Sequence, residues 1–462
     1  MEKFTDPVWH PLTPQKETIA PRKIVRADKE FLFTDKGETI IDAISSWWVM
    51  IHGHNHPKIM ESIRKQTEKL DHVMLAGFTH DSAIELAEKL IEFSNRKSET
   101  KKITESNEQI GKKERLFSNA NNEFRKVFFS DNGSNAVEIA IKIATQYYSN
   151  KGLSSKQLFI GFSKSYHGDS IGAMGASGEN LFNNPYKHLL FPKKEFPAPN
   201  CFNCPKGKVR ETCKVECLED LETFLEEKQT EVAGVILEPL VMGAFGMVFY
   251  DSKVLQKLER ICKKNDVLLV LDEVFTGFGR LGENFAFQLA GITPDLVAIA
   301  KGLSGGALPI AATLVTEEVY SEFVSSDLKK SFFHAHTMTG NPIACSAAIA
   351  SIELLEAQNT KAIVSNLETR YAQFSQKLKT EHGNLVTNPR QLGSIFAFEI
   401  QKDFGEDEYL NPIGKEFREF SLGRGVLLRP LGNTIYVAPP YTISETSLTK
   451  IFLVIEDFLK AH

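Results

Sequence analysis

Five short apolar runs, at 126–130, 157–162, 232–237, 267–271 and 296–300, recur through the middle of the chain with helix-period segments between them. Runs rich in Val, Ile, Leu and Phe without polar alternation suit strands buried on both faces. Helices between them supply the crossovers that a parallel sheet requires. The pattern predicts an α/β fold. The helix after the first run is legible in detail. Ala136, Ile139, Ala140, Ile143, Ala144 and Tyr147 fall at the i, i+3, i+4, i+7, i+8, i+11 spacing of one buried face, and Glu138 and Lys142 are spaced for an i, i+4 pair. From 345 onward the pattern changes to a helical stretch at 360–378, short pieces at 394–400, 426–429 and 434–437, and a closing helix near 444–459. These predict a smaller α+β domain at 345–462 beside a large α/β domain at 46–344.

Composition removes several classes of function. With 54 Lys+Arg against 59 Asp+Glu in 462 residues, the net charge of −5 gives no field for nucleic acid or an anionic membrane surface. No apolar run approaches the roughly 20 residues of a membrane helix, and residues 1–18 lack the apolar stretch of a signal peptide, so a cytoplasmic protein is expected. The segment 95–124 is rich in Lys, Glu, Ser and Asn and too poor in apolar residues to offset its ordering entropy, which predicts a flexible insertion.

Chemistry concentrates where apolar runs end. VLLVLDEVFTGFGR at 267–280 closes a strand-like run with Asp272 and Glu273, and ligands of open α/β sheets sit beyond the carboxyl ends of strands. The run 296–300 ends likewise in Lys301, followed by the glycine-rich 302–306. Pyridoxal phosphate needs this pair: a lysine amine for its aldehyde and a carboxylate on its pyridine nitrogen. A phosphate site is available at Ser130-Asp131-Asn132-Gly133-Ser134. Free amides at a helix start, the helix dipole and a hydroxyl can all meet an anion there, although the same residues would also make an ordinary N-cap turn. Tyr166-His167-Gly168-Asp169 follows another strand and could lay an aromatic face on a planar ring.

With these pieces, the chain resembles the class III pyridoxal-phosphate aminotransferases of fold type I, which carry DEVFTGFGR, AKGLSGG and HTMTGNPIACSAA in this order. Within that class it is similar to the branch that aminates 8-amino-7-oxononanoate to 7,8-diaminononanoate in biotin synthesis. The matching signatures are Val8-Trp9-His10-Pro11, Ser45-Ser46-Trp47-Trp48, His52-Gly53-His54-Asn55-His56-Pro57, His72-Val73-Met74, Tyr166-His167-Gly168-Asp169 and Leu428-Arg429-Pro430-Leu431-Gly432, with Tyr436 and Pro439-Pro440-Tyr441 after them.

The resemblance implies that Lys301 binds the cofactor covalently and that Asp272 holds the pyridine nitrogen. It implies further that Gly133 and Ser134 bind the phosphate with His336 and Thr337 of a second subunit nearby, and that Tyr166 stacks on the ring. Trp47, Tyr166 and Ala335 would line the substrate pocket and Arg429 would take the distal carboxylate. Lys301, Asp272 and Tyr166 form the implied catalytic set. A homodimer with shared sites follows, and residues 1–45 would join the small domain.

Two segments depart from that pattern. Ala335-His336-Thr337 replaces Gly-Pro-Thr, and Leu12 stands where a tyrosine near the amino donor is usual. The donor expected is S-adenosylmethionine, with lysine as the alternative. His52, His54 and His56 are read as structure beside the pocket rather than as metal ligands. The 201–217 loop, with Cys201, Cys204, Cys213 and Cys217, is read as unliganded thiols, with a structural zinc as the alternative. No metal is assigned.

Overall fold

The computed structural model describes residues 7–14, 16, 21–97, 123–401 and 408–462; most of the 95–124 segment, from 98 to 122, lies outside them. Its centre is a seven-stranded sheet in the order Phe124–Ser130, Ala311–Thr316, Leu296–Ile299, Leu268–Asp272, Val232–Leu237, Leu158–Phe162, Lys193–Phe196. All five apolar runs are strands of it. Ala311–Thr316 is the exception in direction, pairing antiparallel with both neighbours. Neither it nor Lys193–Phe196 is signalled by the run-and-helix pattern, because one has no helix of its own before it and the other reads KKEF.

Helix Gly133–Asn150 covers one face, burying all six residues of its expected stripe. Glu138 and Lys142 each find a partner other than the expected one. Glu138 accepts the Gly172 amide at 2.7 Å, and Lys142 donates to the Phe333 carbonyl at 3.3 Å. Tertiary partners thus displace a surface pair that is worth a few tenths of a kcal/mol.

Parallel register aligns the strand ends. Asp272 pairs with Ala298, so Lys301 emerges three residues further along the neighbouring strand. On the antiparallel strand Ala312 pairs with Ile299 and Ala311 with Ser130, which brings the loop after Ser130 to the same edge. The ends of the strands at Phe162 and Leu237 complete that edge.

Besides the short pair Val241–Met242 and Val248–Phe249, two smaller sheets lie outside. Ile24–Asp28, Phe31–Thr34 and Thr39–Asp42 form antiparallel pairs in sequence, and Val426 and Leu427 pair parallel with Ile41 and Asp42. Val386–Leu392, Ile395–Ile400 and Thr434–Val437 form the other. Helices Thr360–His382 and Glu445–Lys460 pack near them, with Phe374 and Phe452 rings 4.1 Å apart. Among the described residues no helix is long and apolar enough to cross a membrane.

Candidate active site

A cavity of about 380 Å³ opens at the carboxyl edge of the large sheet, lined among others by Gly133, Ser134, Tyr166, Asp272 and Lys301. Five sequence-predicted residues from four separate strand ends therefore meet in one place. Asp272 is buried, its Oδ1 accepting the Val274 amide at 3.0 Å and its Oδ2 lying 2.8 Å from His167 Nδ1. Strand alternation sends the next side chain the other way. Glu273 accepts from Thr276 Oγ1 at 2.5 Å and from the Phe287 amide at 2.9 Å, so it ties down the following loop.

Lys301 Nζ lies 4.6 Å from the Trp48 ring centre and 5.9 Å from that of Phe275. Burial among these rings lowers its pKa to about 8, partly opposed by the carboxylates of Asp272 and Glu238. Glu238 follows the Val232–Leu237 strand, accepts the Tyr166 amide at 3.0 Å and the Gly243 amide at 2.9 Å, and is raised to about 7, chiefly by burial. The Tyr166 hydroxyl has its pKa raised, first of all by burial and then by the nearby Asp169 carboxylate.

The loop from Ser130 to Ser134 is closely fitted. A methyl group on Gly133 would stand 2.8 Å from Val274 Cγ1, and one on Gly168, where φ is +130°, would stand 1.9 Å from Ser134 Oγ. Ser134 Oγ accepts the Asp169 amide at 3.2 Å. Glycine is thus required at both positions for this close packing of the loops around the helix start, whose free amides border the cavity.

Trp47 and Arg429 do not line this cavity. The Arg429 guanidinium carbon sits 4.0 Å over the Trp47 ring, and Trp47 is the neighbour of the cavity-lining Trp48; among the described residues no carboxylate pairs with Arg429. Residues Ser45 to Trp48 all have positive φ, from 44° to 76°. A left-handed turn of non-glycine residues costs about 1–2 kcal/mol per residue, and its surroundings must over-determine it. Arg280, fully buried, donates to the Trp48 carbonyl at 3.1 Å and to the Pro439 carbonyl at 3.0 Å, while Ser45 Oγ donates to the Ala438 carbonyl at 2.8 Å.

Ala335 and Thr337 are exposed or nearly so, and His336 Nε2 lies 3.9 Å from Asp131 Oδ1 at the cavity rim. Leu12 is exposed as well. The three histidines go separate ways: His52 Nε2 meets the Ser351 carbonyl at 3.0 Å, His54 meets Asp42, and His56 Nδ1 accepts the Lys58 amide at 3.3 Å to cap a helix. The four loop cysteines border a small cavity of about 30 Å³, and none of them is in a disulfide.

Sequence reasoning missed His167, Glu238, Trp48 and Phe275 as members of the site. His167 stood inside the quoted YHGD motif, and Phe275 inside DEVFTGFGR. Glu238 also ends an apolar run, the signal that found Asp272 and Lys301, and could have been found by it.

A lysine and a buried carboxylate on adjacent parallel strand ends, facing a glycine-bordered helix start, define a pyridoxal-phosphate enzyme of fold type I. The aminotransferase class-III family matches residues 12–459, and the chain belongs to that family. The adenosylmethionine-8-amino-7-oxononanoate aminotransferase of Synechococcus elongatus is 40% identical over 453 residues, 98% of each chain. That of Geobacter sulfurreducens is 37% identical over 452 residues, 96% of this chain and 93% of its own. The crystal structure of the Methanocaldococcus jannaschii enzyme of that name superposes with a TM-score of 0.84 at 32% identity, covering 98% of this chain and 97% of that one.

The residues present fit the family's cofactor. His167 Nε2 at the cavity, and Ser130 Oγ one residue before the cavity-lining Asp131, are buried without a partner among the described residues, and the helix start at Gly133 and Ser134 opens onto the cavity. The one lysine among the residues lining the cavity is Lys301, whose pKa burial has lowered.

Proposed function

We propose that this protein transfers an amino group from S-adenosylmethionine to 8-amino-7-oxononanoate, giving 7,8-diaminononanoate for biotin biosynthesis. One observation carries the reading: Trp48 faces Lys301 while its neighbour Trp47 lies under Arg429, a guanidinium with no acidic partner among the described residues. An acceptor with a carbonyl at one end, an apolar chain between and a carboxylate at the other is matched by that amine, those indoles and that cation, since a guanidinium grips a carboxylate in a planar fork. Full-length likeness to chains bearing the corresponding name supports it.

Bound pyridoxal phosphate supplies an aldehyde that exchanges oxygen for an amine and a protonated ring that takes up charge when a Cα–H proton leaves. Lys301 Nζ would hold the aldehyde and carry that proton, since an amine whose pKa burial has lowered to about 8 can both take and return one near neutral pH. Asp272 keeps the ring nitrogen protonated, and His167 fixes the carboxylate's direction. Gly133 and Ser134 amides would receive the phosphate, Tyr166 would cover the ring face, and Trp47, Tyr166 and Ala335 would border the substrate.

The reading includes a homodimer in which His336 and Thr337 complete the partner's phosphate site. Exposed Leu328, Phe333 and Met338 near Thr337 in sequence support an interface there. It also includes residues 46–344 as the cofactor-bearing domain, with both chain ends forming the small one, and a cytoplasmic location. Purified protein should aminate 8-amino-7-oxononanoate and leave 2-oxoglutarate untouched when offered ω-amino acids; the reverse preference would refute the substrate assignment.

A further inference from the structure

Asp42 ends the Thr39–Asp42 strand with no exposed surface, yet it lies outside the lining of the cofactor cavity. Its Oδ1 accepts the Ser46 amide at 2.9 Å, and its Oδ2 accepts Ser46 Oγ at 2.7 Å and meets His54 Nε2 at 2.9 Å. His54 is itself fixed, its backbone exchanging two hydrogen bonds with Lys29 at 2.7 and 3.1 Å. These bonds together hold the left-handed turn that carries Trp47 and Trp48. The two indoles serve the two ends of one acceptor, Trp48 against the reacting amine and Trp47 beneath the guanidinium of Arg429. The turn therefore seats one indole against each of these two groups and fixes the apolar wall between them.

We propose that Asp42, acting with His54 through Ser46, is a positioning residue that sets which acceptor chain length this enzyme accepts. The inference rests on the reading of Arg429 as the carboxylate anchor. If the buried carboxylate is weakened, the turn loses the bonds that offset its left-handed backbone, and the two indoles no longer keep a fixed separation. Acceptors of the wrong length then lose their disadvantage, because selectivity between homologues comes from how sharply a rigid site rejects a missing methylene.

The test compares kcat/KM of holoenzyme for 8-amino-7-oxononanoate and for the homologous amino-oxo acid shorter by two methylenes. Wild type, Asp42→Asn and the milder Ser46→Ala are each checked for an unchanged melting temperature. The ratio of the two kcat/KM values should fall about tenfold in Asp42→Asn and about threefold in Ser46→Ala, with a change in the near-ultraviolet circular dichroism of the tryptophans. If Asp42→Asn proves too unstable to purify, Ser46→Ala carries the test alone. Equal losses on both acceptors, leaving the ratio unchanged, would overturn the inference. The methyl ester of the nine-carbon acceptor separates the two readings. If wild type uses ester and acid equally well, the Arg429 assignment fails and this inference with it; if wild type rejects the ester and the variants keep the wild-type ratio, only the role of Asp42 fails.

Discussion

His167 Nδ1 stands 2.8 Å from Asp272 Oδ2, with both side chains buried and the other carboxylate oxygen engaged by the Val274 amide. The carboxylate proposed to hold the cofactor's ring nitrogen is thus fixed at both oxygens by groups that do not react. Replacing His167 by Phe keeps a planar ring and removes the hydrogen bond. Loss of such a supporting contact typically costs tenfold to hundredfold. We expect kcat to fall by about that factor, with His167→Asn falling less, as read by steady-state kinetics together with cofactor titration of the stripped protein.

The Lys301 amine, lowered to about 8 by burial, is protonated below that pH and free above it. In cofactor-free protein its modification by an amine-directed reagent should rise about tenfold per pH unit up to about 8 and then level, whereas an ordinary lysine keeps rising to about pH 10. Asp272 raises this pKa, so Asp272→Asn should move the midpoint to lower pH. Peptide mapping of the labelled site gives the readout.

Gly168 has a backbone that L-residues rarely adopt and no space for a Cβ beside Ser134. Gly168→Ala should weaken cofactor affinity about tenfold or more, because overpacking of about 1–3 kcal/mol is relieved most easily by shifting the helix start proposed to receive the phosphate. Equilibrium dialysis against pyridoxal phosphate measures it, and Gly37, where a methyl group meets nothing within 4 Å, is a control for the positive φ alone.

Arg429→Lys keeps the charge but loses the planar fork and the stacking on Trp47. The acceptor KM should rise about tenfold to hundredfold, with kcat for the donor half-reaction little changed, as stopped-flow and steady-state rates would show separately.

The site was legible in sequence to the extent that it sits on strand ends. Asp272 and Lys301 each interrupt an apolar run, and parallel register then brings them together without further information. The helix face at Ala136 to Tyr147 was legible for a similar reason, since one periodicity sets its burial. What escaped depends on backbone conformations without a period. In a left-handed turn no alternation rule says which of two adjacent tryptophans faces the lysine, and the answer is Trp48, with Trp47 under Arg429. Ala311–Thr316 was missed because an antiparallel strand inside a parallel sheet carries no crossover helix to announce it.

The most direct measurement is a single half-reaction. Holoenzyme carrying the lysine-bound cofactor is mixed with S-adenosylmethionine or with lysine, and the visible absorbance of the bound cofactor is followed before 8-amino-7-oxononanoate is added. The account predicts that S-adenosylmethionine discharges the absorbance, that the added oxo-acid restores it, and that 7,8-diaminononanoate appears in equal amount. Discharge by lysine alone would contradict the donor assignment, and failure of 8-amino-7-oxononanoate to restore the absorbance after any donor would contradict the proposed function itself.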